Sequence, residues 1–371
     1  MKFLHLADLH LGKRLNDVDL LDDQKYVLKQ ALDVIDGVDA VLIVGDVYDK
    51  ADPRADAMVV FDEFITNIVS KGKKIFIIPG NHDSDQRISY FSNLLVNNNV
   101  YMSSKFEGKL QTIKIEDEFG ELYIHLLPFI KPIYVKKIYP EETIKNYEDA
   151  VKVILSKSNI DTSKRNIVLV HQFITGSERS ESEEYSVGGL DNINASVFDS
   201  FDYVALGHIH KPQTINRETL RYSGSLLKYS FSEAKQNKSF CIVDFKEKGN
   251  IGIELKPIKF LHDVIEKEGL LEDLLKEQYT EDYVRVTLHD EDVYPDSRVR
   301  LLTVFPNMMK LSIVNSKTKE EKDILVEEEF KNKSIKDLFI DFYRMQNNNQ
   351  EPSAAQIDLF DDVIKKMEGE N

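Results

Sequence analysis

The chain contains 371 residues, a length that suits two or three domains of about 100–200 residues each. Its composition, 42% hydrophobic and 30% charged, is typical of a soluble protein with a packed core, and no apolar run approaches the roughly 20 residues of a membrane-spanning helix. The net charge of −16 is unusual for a protein that holds nucleic acid by itself, so such a substrate would require local, metal-assisted contact or a partner that supplies basic surface.

The first 260 residues alternate short apolar runs with longer amphipathic stretches, a pattern that predicts an α/β domain. The predicted strands are 2–6, 40–44, 74–78, 122–127, 166–170 and 202–206, and the predicted helices are 22–35, 57–70 and 140–156. The regions 110–127 and 221–256 resemble strand meanders, so we expect two sheets covered by helices. The start of the chain, MKFLHLADLHLG, is interpreted as the first strand and not as a signal peptide.

After residue 260 the regular alternation of strands and helices ends, and the sequence predicts a small domain followed by two C-terminal helices. Residues 261–332 form an expected small α+β domain, with a helix at 263–278, a strand at 283–288, further elements at 297–306 and 309–315, and an acidic segment at 319–329. Residues 333–371 contain two amphipathic helices, at 335–345 and 353–367, separated by the polar linker QNNNQEP. Short terminal helices with apolar faces dock either on their own domain or on another protein.

Polar clusters follow five of the predicted strands, and in open α/β sheets binding sites lie beyond the carboxyl ends of the strands. The clusters are Asp8 and His10; Gly45 and Asp46; Gly80, Asn81, His82 and Asp83; His171; and Gly207, His208 and His210. Asp, Asn and His are ligands for hard-to-borderline divalent ions, Mn²⁺ in particular, ahead of Fe²⁺, Zn²⁺ and Mg²⁺. The number of groups favours two ions that share a carboxylate, an arrangement that clamps a phosphoryl group and activates water.

These clusters spell the signature of the metallophosphoesterases: DLH at 8–10, GD at 45–46, GNHD at 80–83, His171, and GHIH at 207–210. Within that superfamily, the chain resembles the SbcD nucleases in LADLHLG, GDVYDKADP, FDYVALGHIHKPQ and RYSGSLLKYSFSE. The resemblance implies a two-sheet metallophosphoesterase sandwich flanked by helices, a small α+β cap domain at 261–332, and C-terminal helices.

The resemblance also implies a role for each residue of the motifs. One ion would be held by Asp8, His10 and His210, the other by Asn81, His171 and His208, and Asp46 would bridge the two. His82 would contact the scissile phosphate and help to protonate the leaving oxygen, with Asp83 orienting its ring. Relatives from archaea and eukaryotes often carry a histidine where this chain has Asp49, so no role is carried over to that position.

The function implied by the resemblance is that of a Mn²⁺-dependent DNA exonuclease and endonuclease in DNA repair and recombination, acting on double-strand ends and hairpins. Its partner would be an SbcC-type ATPase, which supplies DNA-binding surface and ATP-dependent control and on whose coiled coil residues 333–371 would dock. A homodimer within a heterotetramer and a cytoplasmic, nucleoid-associated location are also implied. The single cysteine, Cys241, agrees with a reducing compartment.

Five basic residues beside the motifs are candidates for contact with DNA phosphates: Lys13, Arg14, Arg54, Arg87 and Lys211. Charged loop residues are more often simply solvated. Two other functions stay open at this level: a phosphoesterase acting on a small molecule or a phosphoprotein, and a scaffold subunit without activity. The complete set of ligand-type residues argues against the scaffold.

Overall fold

The structure is a computed structural model, and it describes residues 1–89, 92–103, 106–183, 191–292, 295–315, 336, 339–340, 343–344 and 351–368. The chain divides into two compact units. The first comprises Met1–Lys267, Gln278–Arg285 and Leu302–Lys310, and the second comprises Glu268–Glu277, Val286–Leu301 and the described part of Leu311–Asn371. The domain borders expected after residues 260 and 332 stay predictions.

The first sheet has six strands: β1 (Lys2–Leu6), β4 (Ala40–Val44), β5 (Lys74–Ile78), β6 (Val100–Met102), β13 (Ser239–Phe245) and β14 (Ile251–Pro257). Their order is β14-β13-β1-β4-β5-β6. The central strands β1, β4 and β5 run parallel, so their carboxyl ends lie at one edge of the sheet. β13 and β14 form a hairpin in the region of the meander predicted at 221–256, and they add antiparallel strands beside β1.

The second sheet also has six strands: β7 (Gln111–Asp117), β8 (Gly120–Leu127), β9 (Arg165–His171), β10 (Tyr203–Gly207), β11 (Gln213–Ile215) and β12 (Arg217–Tyr222). Their order is β11-β12-β10-β9-β8-β7. β8, β9, β10 and β12 are parallel, and β7 forms an antiparallel hairpin with β8. A two-stranded hairpin of β2 (Arg14–Leu15) and β3 (Val18–Asp19) follows the first motif.

Burial of apolar side chains on both faces of each sheet explains the continuous hydrophobic runs in the sequence. One core cluster lies between the sheets and includes Phe3, Phe76 and Tyr203. The outer faces are covered by helices: α1 (Leu21–Ile35) and α2 (Ala55–Ser70) on the first sheet, α5 (Pro132–Ile138) and α6 (Tyr147–Lys157) on the second. Short helices α3 (Asp85–Ile88) and α4 (Ser92–Leu95) follow β5. The predicted fold class is therefore confirmed.

The helix predicted at 140–156 is wrong in its first half. Pro140 follows the end of α5, where Tyr139 has non-helical backbone angles (φ −122°, ψ 71°), because a residue before proline avoids the helical region. The next helix begins only at Tyr147, where the side chain of Asn146 accepts a hydrogen bond from the backbone N–H of Asp149. The cap at Asn146 and not Pro140 sets the start of α6.

The helix predicted at 263–278 is also wrong. The chain there forms β15 (Val264–Gly269) and a single turn, α7 (Leu271–Leu274), and β15 joins a three-stranded sheet with β16 (Tyr283–Leu288) and β17 (Met308–Ile313). The segment VIEKEG alternates in burial along the strand, and strand pairing overrides the helix propensity of its glutamates. α8 (Ser297–Leu301) lies between β16 and β17 in sequence.

At the C-terminus, helix α9 (Ala354–Glu368) agrees with the helix predicted at 353–367. The ring of Phe360 stacks on that of Phe339 with centroids 4.2 Å apart, and Asp361 pairs with Lys336 at 2.6 Å. The predicted acidic segment 319–329 and most of the predicted helix 335–345 fall outside the described residues. Within the described part of the chain, none of the helices has the length and apolar character to span a bilayer.

Candidate metal centre

The carboxyl ends of five strands meet at one place in the first unit, where both sheets end side by side. From the first sheet, β1 leads to Asp8 and His10, β4 leads to Asp46, and β5 leads to Asn81 and His82. From the second sheet, β9 ends at His171, and β10 leads to His208 and His210. All seven residues predicted as metal ligands therefore lie around one site.

The backbone at this site adopts conformations that side chains usually avoid. Asp8, His10, Asp46 and His208 have positive φ angles of 53°, 44°, 49° and 99°. Each such residue costs about 1–3 kcal/mol, which the surrounding structure must offset. The offset includes hydrogen bonds between the loops, from His10 N to Asp46 O at 2.9 Å and from His208 N to Asp8 Oδ1 at 2.9 Å. Strain concentrated in this way is typical of functional sites.

The side chains form overlapping groups in which the potential ligand atoms lie within 4.8 Å of one another. These groups are Asp8, His10 and His210; Asp46, His171 and His208; and His10, Asp46 and His82. Asp46 is common to the last two groups, since its Oδ2 atom lies 3.6 Å from His10 Nε2 and 3.3 Å from His171 Nε2. It thus occupies the centre of the arrangement.

On one side of Asp46, the amide oxygen of Asn81 lies 3.1 Å from His171 Nε2 and 2.9 Å from His208 Nδ1. The other ring nitrogen of His171, Nδ1, lies 2.9 Å from the carbonyl oxygen of Val44. Because a carbonyl only accepts, Nδ1 carries a proton, so Nε2 faces the site and presents its lone pair there once the ring is neutral.

The donor atoms fit divalent cations. Asp8 Oδ2 is fully buried and has no hydrogen-bond partner among the described residues, which is costly for a carboxylate oxygen. On the same side, His10 Nε2 and His210 Nε2 face each other at 3.1 Å. Oxygen and imidazole lone pairs that converge in this way, without thiolates, match the coordination chemistry of divalent metal ions.

Burial and neighbouring charges separate the pKa values of the carboxylates. Burial raises the pKa of Asp8 to about 6. Burial would also raise the pKa of Asp46, but the charges of His171 and His10 hold that pKa well below its ordinary value. Asp46 is therefore an anion throughout the neutral range.

The pKa values of two site histidines, His208 and His171, shift in opposite directions. Burial lowers the pKa of His208 to about 3, and the neighbouring charge of His171 adds to this effect. Burial would lower the pKa of His171 as well, but the charge and hydrogen bond of Asp46 and the charge of Asp8 raise it to about 9. Without metal, His171 is thus the proton-carrying group of the site at neutral pH.

Three glycines allow the loops to approach this closely. A Cβ atom on Gly45 would lie 2.1 Å from His171 Nδ1, one on Gly80 would lie 2.2 Å from Asp46 Oδ1, and one on Gly207 would lie 1.9 Å from the carbonyl oxygen of Val44. Contacts of this length are impossible without movement of the ligands. The close approach of these loops therefore requires glycine at all three positions.

His82 lies beside the ligands, but its ring has a different partner from the one expected. His82 Nδ1 donates to the backbone carbonyl of Asp49 at 3.0 Å. The carboxylate of Asp83 instead accepts hydrogen bonds from the backbone N–H groups of Val47, Tyr48 and Gly80, each at 3.0 Å. In the described structure Asp83 therefore stabilises the loops that carry Asp46 and His82, and direct orientation of the imidazole by its carboxylate is not observed.

The five basic residues predicted to contact DNA all have protein partners. Lys13 pairs with Asp49 at 2.9 Å, Arg87 with Asp52 at 2.6 Å and Arg54 with Asp19 at 2.5 Å. Arg14 donates to the carbonyl of Asp17, and Lys211 pairs with Glu178. Lys13, Arg14 and Arg54 line a cleft of about 690 Å³ whose wall includes Asp49, the residue that holds the His82 ring.

Four residues outside the predicted ligand set support the site. Gln24 Nε2 donates to the carbonyl of His10 at 2.7 Å, and Tyr229 donates to that of Leu9 at 2.5 Å. The carboxylate of Glu183 accepts from His210 N at 2.6 Å, and Glu233 is buried next to the same histidine. Only Tyr229 and Glu233 had a signal, because both lie in the stretch RYSGSLLKYSFSE.

Comparison with known proteins agrees with this geometry. Residues 1–212 match the family model of calcineurin-like phosphoesterases, and residues 260–347 match the model described as type 5 capsule protein repressor C-terminal domain. The chain is 33% identical over 326 residues to the SbcD subunit of the nuclease SbcCD from Staphylococcus epidermidis, covering 85% of this chain and 86% of the relative. It is 31% identical over 322 residues to the protein of the same name from Staphylococcus saprophyticus, covering 84% of each.

Proposed function

We propose that this chain, which belongs to the calcineurin-like phosphoesterase family and within it to the SbcD nucleases, is the nuclease subunit of a complex with an SbcC-type ATPase. The observation that carries the proposal is the convergence of seven oxygen and nitrogen ligand residues from five strand ends, with His82 beside them. Its reaction would be hydrolysis of DNA phosphodiesters at double-strand ends and hairpins.

Two divalent ions, which we propose to be Mn²⁺, would be held by this set. Asp8, His10 and His210 would bind one ion, Asn81, His171 and His208 the other, and the central position of Asp46 suits it to bind both. The ions would supply a polarised phosphate and an activated water molecule. Neutral His10 and His208 and anionic Asp46 already have the protonation states that ligands require.

His82 would act on the leaving group. Its Nδ1 atom is used by the carbonyl of Asp49, so a second ring proton, on Nε2, is the one available for transfer to the leaving oxygen. His82 is only partly buried, unlike His10 and His210, which leaves its ring accessible to a DNA backbone. Asp46 Oδ1 accepts from His82 N at 2.9 Å and thereby ties the catalytic side chain to the ligands.

The partner would compensate for the charge of the chain. The net charge is −16, and Lys13, Arg54 and Arg87 near the site are already paired with carboxylates, so these three side chains offer little free positive charge to DNA. We propose that the ATPase provides this surface and ATP-dependent control, and that residues 333–371 dock on it. Leu359 on α9, which is 66% exposed, is an apolar contact available for docking.

We also propose how the chain is assembled in the complex and where the complex works. Residues 261–332 would serve as a cap that faces DNA, and two copies of the chain would pair within a heterotetramer. The complex would work in the cytoplasm at the nucleoid, in repair, recombination and replication of DNA. These assignments extend the resemblance to the SbcD nucleases, and the two staphylococcal relatives, named as the D subunit of the nuclease SbcCD, match over most of their length.

The decisive experiment compares substrates with the purified full chain and Mn²⁺, with and without the ATPase partner and ATP. End-labelled linear duplex and hairpin DNA are tested beside a small phosphodiester, bis-p-nitrophenyl phosphate, and a phosphopeptide. We expect DNA to be degraded, and faster with the partner. Turnover of the phosphopeptide or of the small ester far above that of DNA under every condition would contradict the nuclease assignment.

A further inference from the structure

Behind His210, on the side away from the other ligands, lies a cluster of three polar side chains, two of which, Glu233 and Lys238, are buried. Glu233 Oε1 lies 3.3 Å from His210 Nδ1, and the hydroxyl of Ser182 lies 2.8 Å from the same nitrogen. Lys238 pairs with Glu233 Oε2 at 2.7 Å, and the side chains of both residues are completely excluded from solvent. The opposite ring nitrogen, His210 Nε2, faces His10 in the metal centre.

The hydrogen bonds of this cluster determine which nitrogen of His210 carries a proton. Ser182 donates its one hydroxyl proton to the carboxylate of Glu233 at 2.5 Å, since the carboxylate only accepts. The 2.8 Å contact between Ser182 Oγ and His210 Nδ1 must therefore be donated by the ring. With its proton on Nδ1, the imidazole presents the lone pair of Nε2 to the site.

Lys238 fixes the carboxylate and the backbone of the histidine together. Besides Glu233, its ammonium group contacts the carbonyl of His210 at 2.8 Å, Ser225 Oγ at 2.9 Å and Gln236 Oε1 at 2.9 Å. Burying such an ion pair adds little net stability, because desolvation opposes the attraction. The pair is better explained by the geometry that it imposes on His210.

We propose that Glu233, held by Lys238 and linked through Ser182, is a positioning residue that keeps His210 in the orientation and tautomer needed to bind one metal ion. The inference rests on the proposed function in one respect, that His210 is a ligand. It goes further by assigning a role to a buried carboxylate and lysine that lie 23 and 28 residues from His210 in sequence. Glu233 does not touch the reacting groups.

The test is calorimetric titration of the full chain with Mn²⁺ alone, comparing the wild type with Glu233→Gln. We expect one of the two binding events to weaken by about 10–100-fold, the usual effect of removing a carboxylate behind a ligating histidine, while the other event is unchanged. The double variant Glu233→Gln/Lys238→Met removes both buried charges, so it remains informative where the single variant leaves Lys238 unpaired and folds poorly. It is expected to show the same selective loss.

A matched control breaks a partly buried ion pair at the opposite end of the sandwich. Asp117 pairs with Arg165 at 2.5 Å, and Arg165 begins strand β9, whose other end is His171, so the pair lies roughly 20 Å from the site. Asp117→Asn is expected to lower stability and to leave both Mn²⁺ affinities unchanged. This control distinguishes the effect of breaking any buried ion pair from the specific effect of removing the Glu233 carboxylate on Mn²⁺ affinity.

Wild-type affinity for both ions in folded Glu233→Gln, or in the folded double variant, would overturn the proposal. Equal weakening of both ions would also overturn it, because that result would indicate general damage to the site. The titration contains no nucleic acid. A chain that binds Mn²⁺ with this dependence on Glu233 but never cleaves DNA would refute the nuclease proposal and leave the role of Glu233 intact.

Discussion

The ring of His82 is held by the main chain of Asp49, through a hydrogen bond of 3.0 Å from Nδ1 to the carbonyl oxygen. The carboxylate of Asp49 is directed elsewhere, to Lys13 at 2.9 Å. Asp49 therefore orients the proposed acid, His82, through its backbone carbonyl, and its carboxylate restrains Lys13 in the neighbouring cleft. The two effects are separable by mutation.

Replacement of His82 by alanine should abolish cleavage without loss of metal. The imidazole is outside the proposed ligand set, and removal of a general acid lowers rates by about 10²–10⁴-fold. Cleavage of labelled duplex DNA and Mn²⁺ titration of the same preparation measure the two properties. His289→Ala, at an exposed position, serves as the control. A full nuclease rate in His82→Ala would refute the assignment.

Asp49→Asn should leave the turnover rate near that of the wild type and improve DNA binding. The backbone carbonyl that holds His82 is retained, whereas Lys13 loses its anionic partner and becomes available to a phosphate. Displacing such an ion pair costs about 1 kcal/mol or less, so the KM for DNA should fall by up to about five-fold. Steady-state kinetics at fixed ionic strength separates KM from kcat. A large fall in kcat would mean that the side chain itself acts on the site, through His82 or through His10, whose Nδ1 atom lies 3.9 Å from the Asp49 carboxylate.

Asp46→Ala should remove both metal ions and all activity, because its carboxylate lies between His10 and His171. Metal content after dialysis, measured by mass spectrometry, gives the stoichiometry. Asp33→Ala, an exposed position on α1, is the matched carboxylate control. Two ions bound to Asp46→Ala with wild-type affinity would show that the carboxylate is not shared.

Gly207→Ala should destabilise the chain and disturb metal binding together. The new Cβ atom would lie 1.9 Å from the carbonyl oxygen of Val44 and 2.8 Å from His171 Nδ1. Overpacking of this kind costs about 3 kcal/mol. Gly37→Ala is the control, since its Cβ would meet only the carbonyl of Val34 at an ordinary 3.6 Å. Equal melting temperatures for the two variants would contradict the close packing inferred around His171.

Affinity for Mn²⁺ should rise with pH between about 6 and 9. In the metal-free site, Asp8 has a pKa raised to about 6 and His171 a pKa raised to about 9, so both carry protons below those values. Bound metal requires the deprotonated forms, and each proton released makes binding weaker at low pH.

The stability of the metal-free protein should change with pH in the opposite direction. A folded pKa above the unfolded value contributes stability below the unfolded pKa, and that contribution disappears as the pH rises through the folded pKa. The melting temperature without metal should therefore fall as the pH increases through 9. The rise in melting temperature on addition of Mn²⁺ should become larger over the same range. An increase in melting temperature that is independent of pH would contradict the protonation assigned to His171.

The positions of the proposed ligands were predictable because the apolar runs of β1, β4 and β5 end abruptly at polar residues. Strands buried on both faces leave a clear pattern, and the predicted bounds of these three strands agree with the structure. The start of α6 was not predictable from the Pro140 motif, because the cap at Asn146 decided it locally. β15 was missed because pairing with a distant strand, and not local propensity, determines its conformation.

The hydrogen-bond partners of the site residues could not be predicted from the sequence. Asp83 follows His82 directly, yet the turn directs its carboxylate to the N–H groups of Val47 and Tyr48. Glu233 lies in the stretch shared with the SbcD nucleases and Lys238 does not, but the contact of both with the surroundings of His210 follows only from their complete burial in the structure. Such roles depend on distances between segments that no local pattern encodes.

The sequence by itself determined the chemical types of the site residues and their places after the strands, because hydrophobic periodicity and strand ends are local properties of the chain. The family of the fold followed from the resemblance of the motifs that these residues spell. Only the tertiary structure decided which atoms meet. His10 and His210 are 200 residues apart and approach to 3.1 Å because two sheets pack across a common core. That packing sets the central position of Asp46, the tautomers of His171 and His210, and the partner of His82.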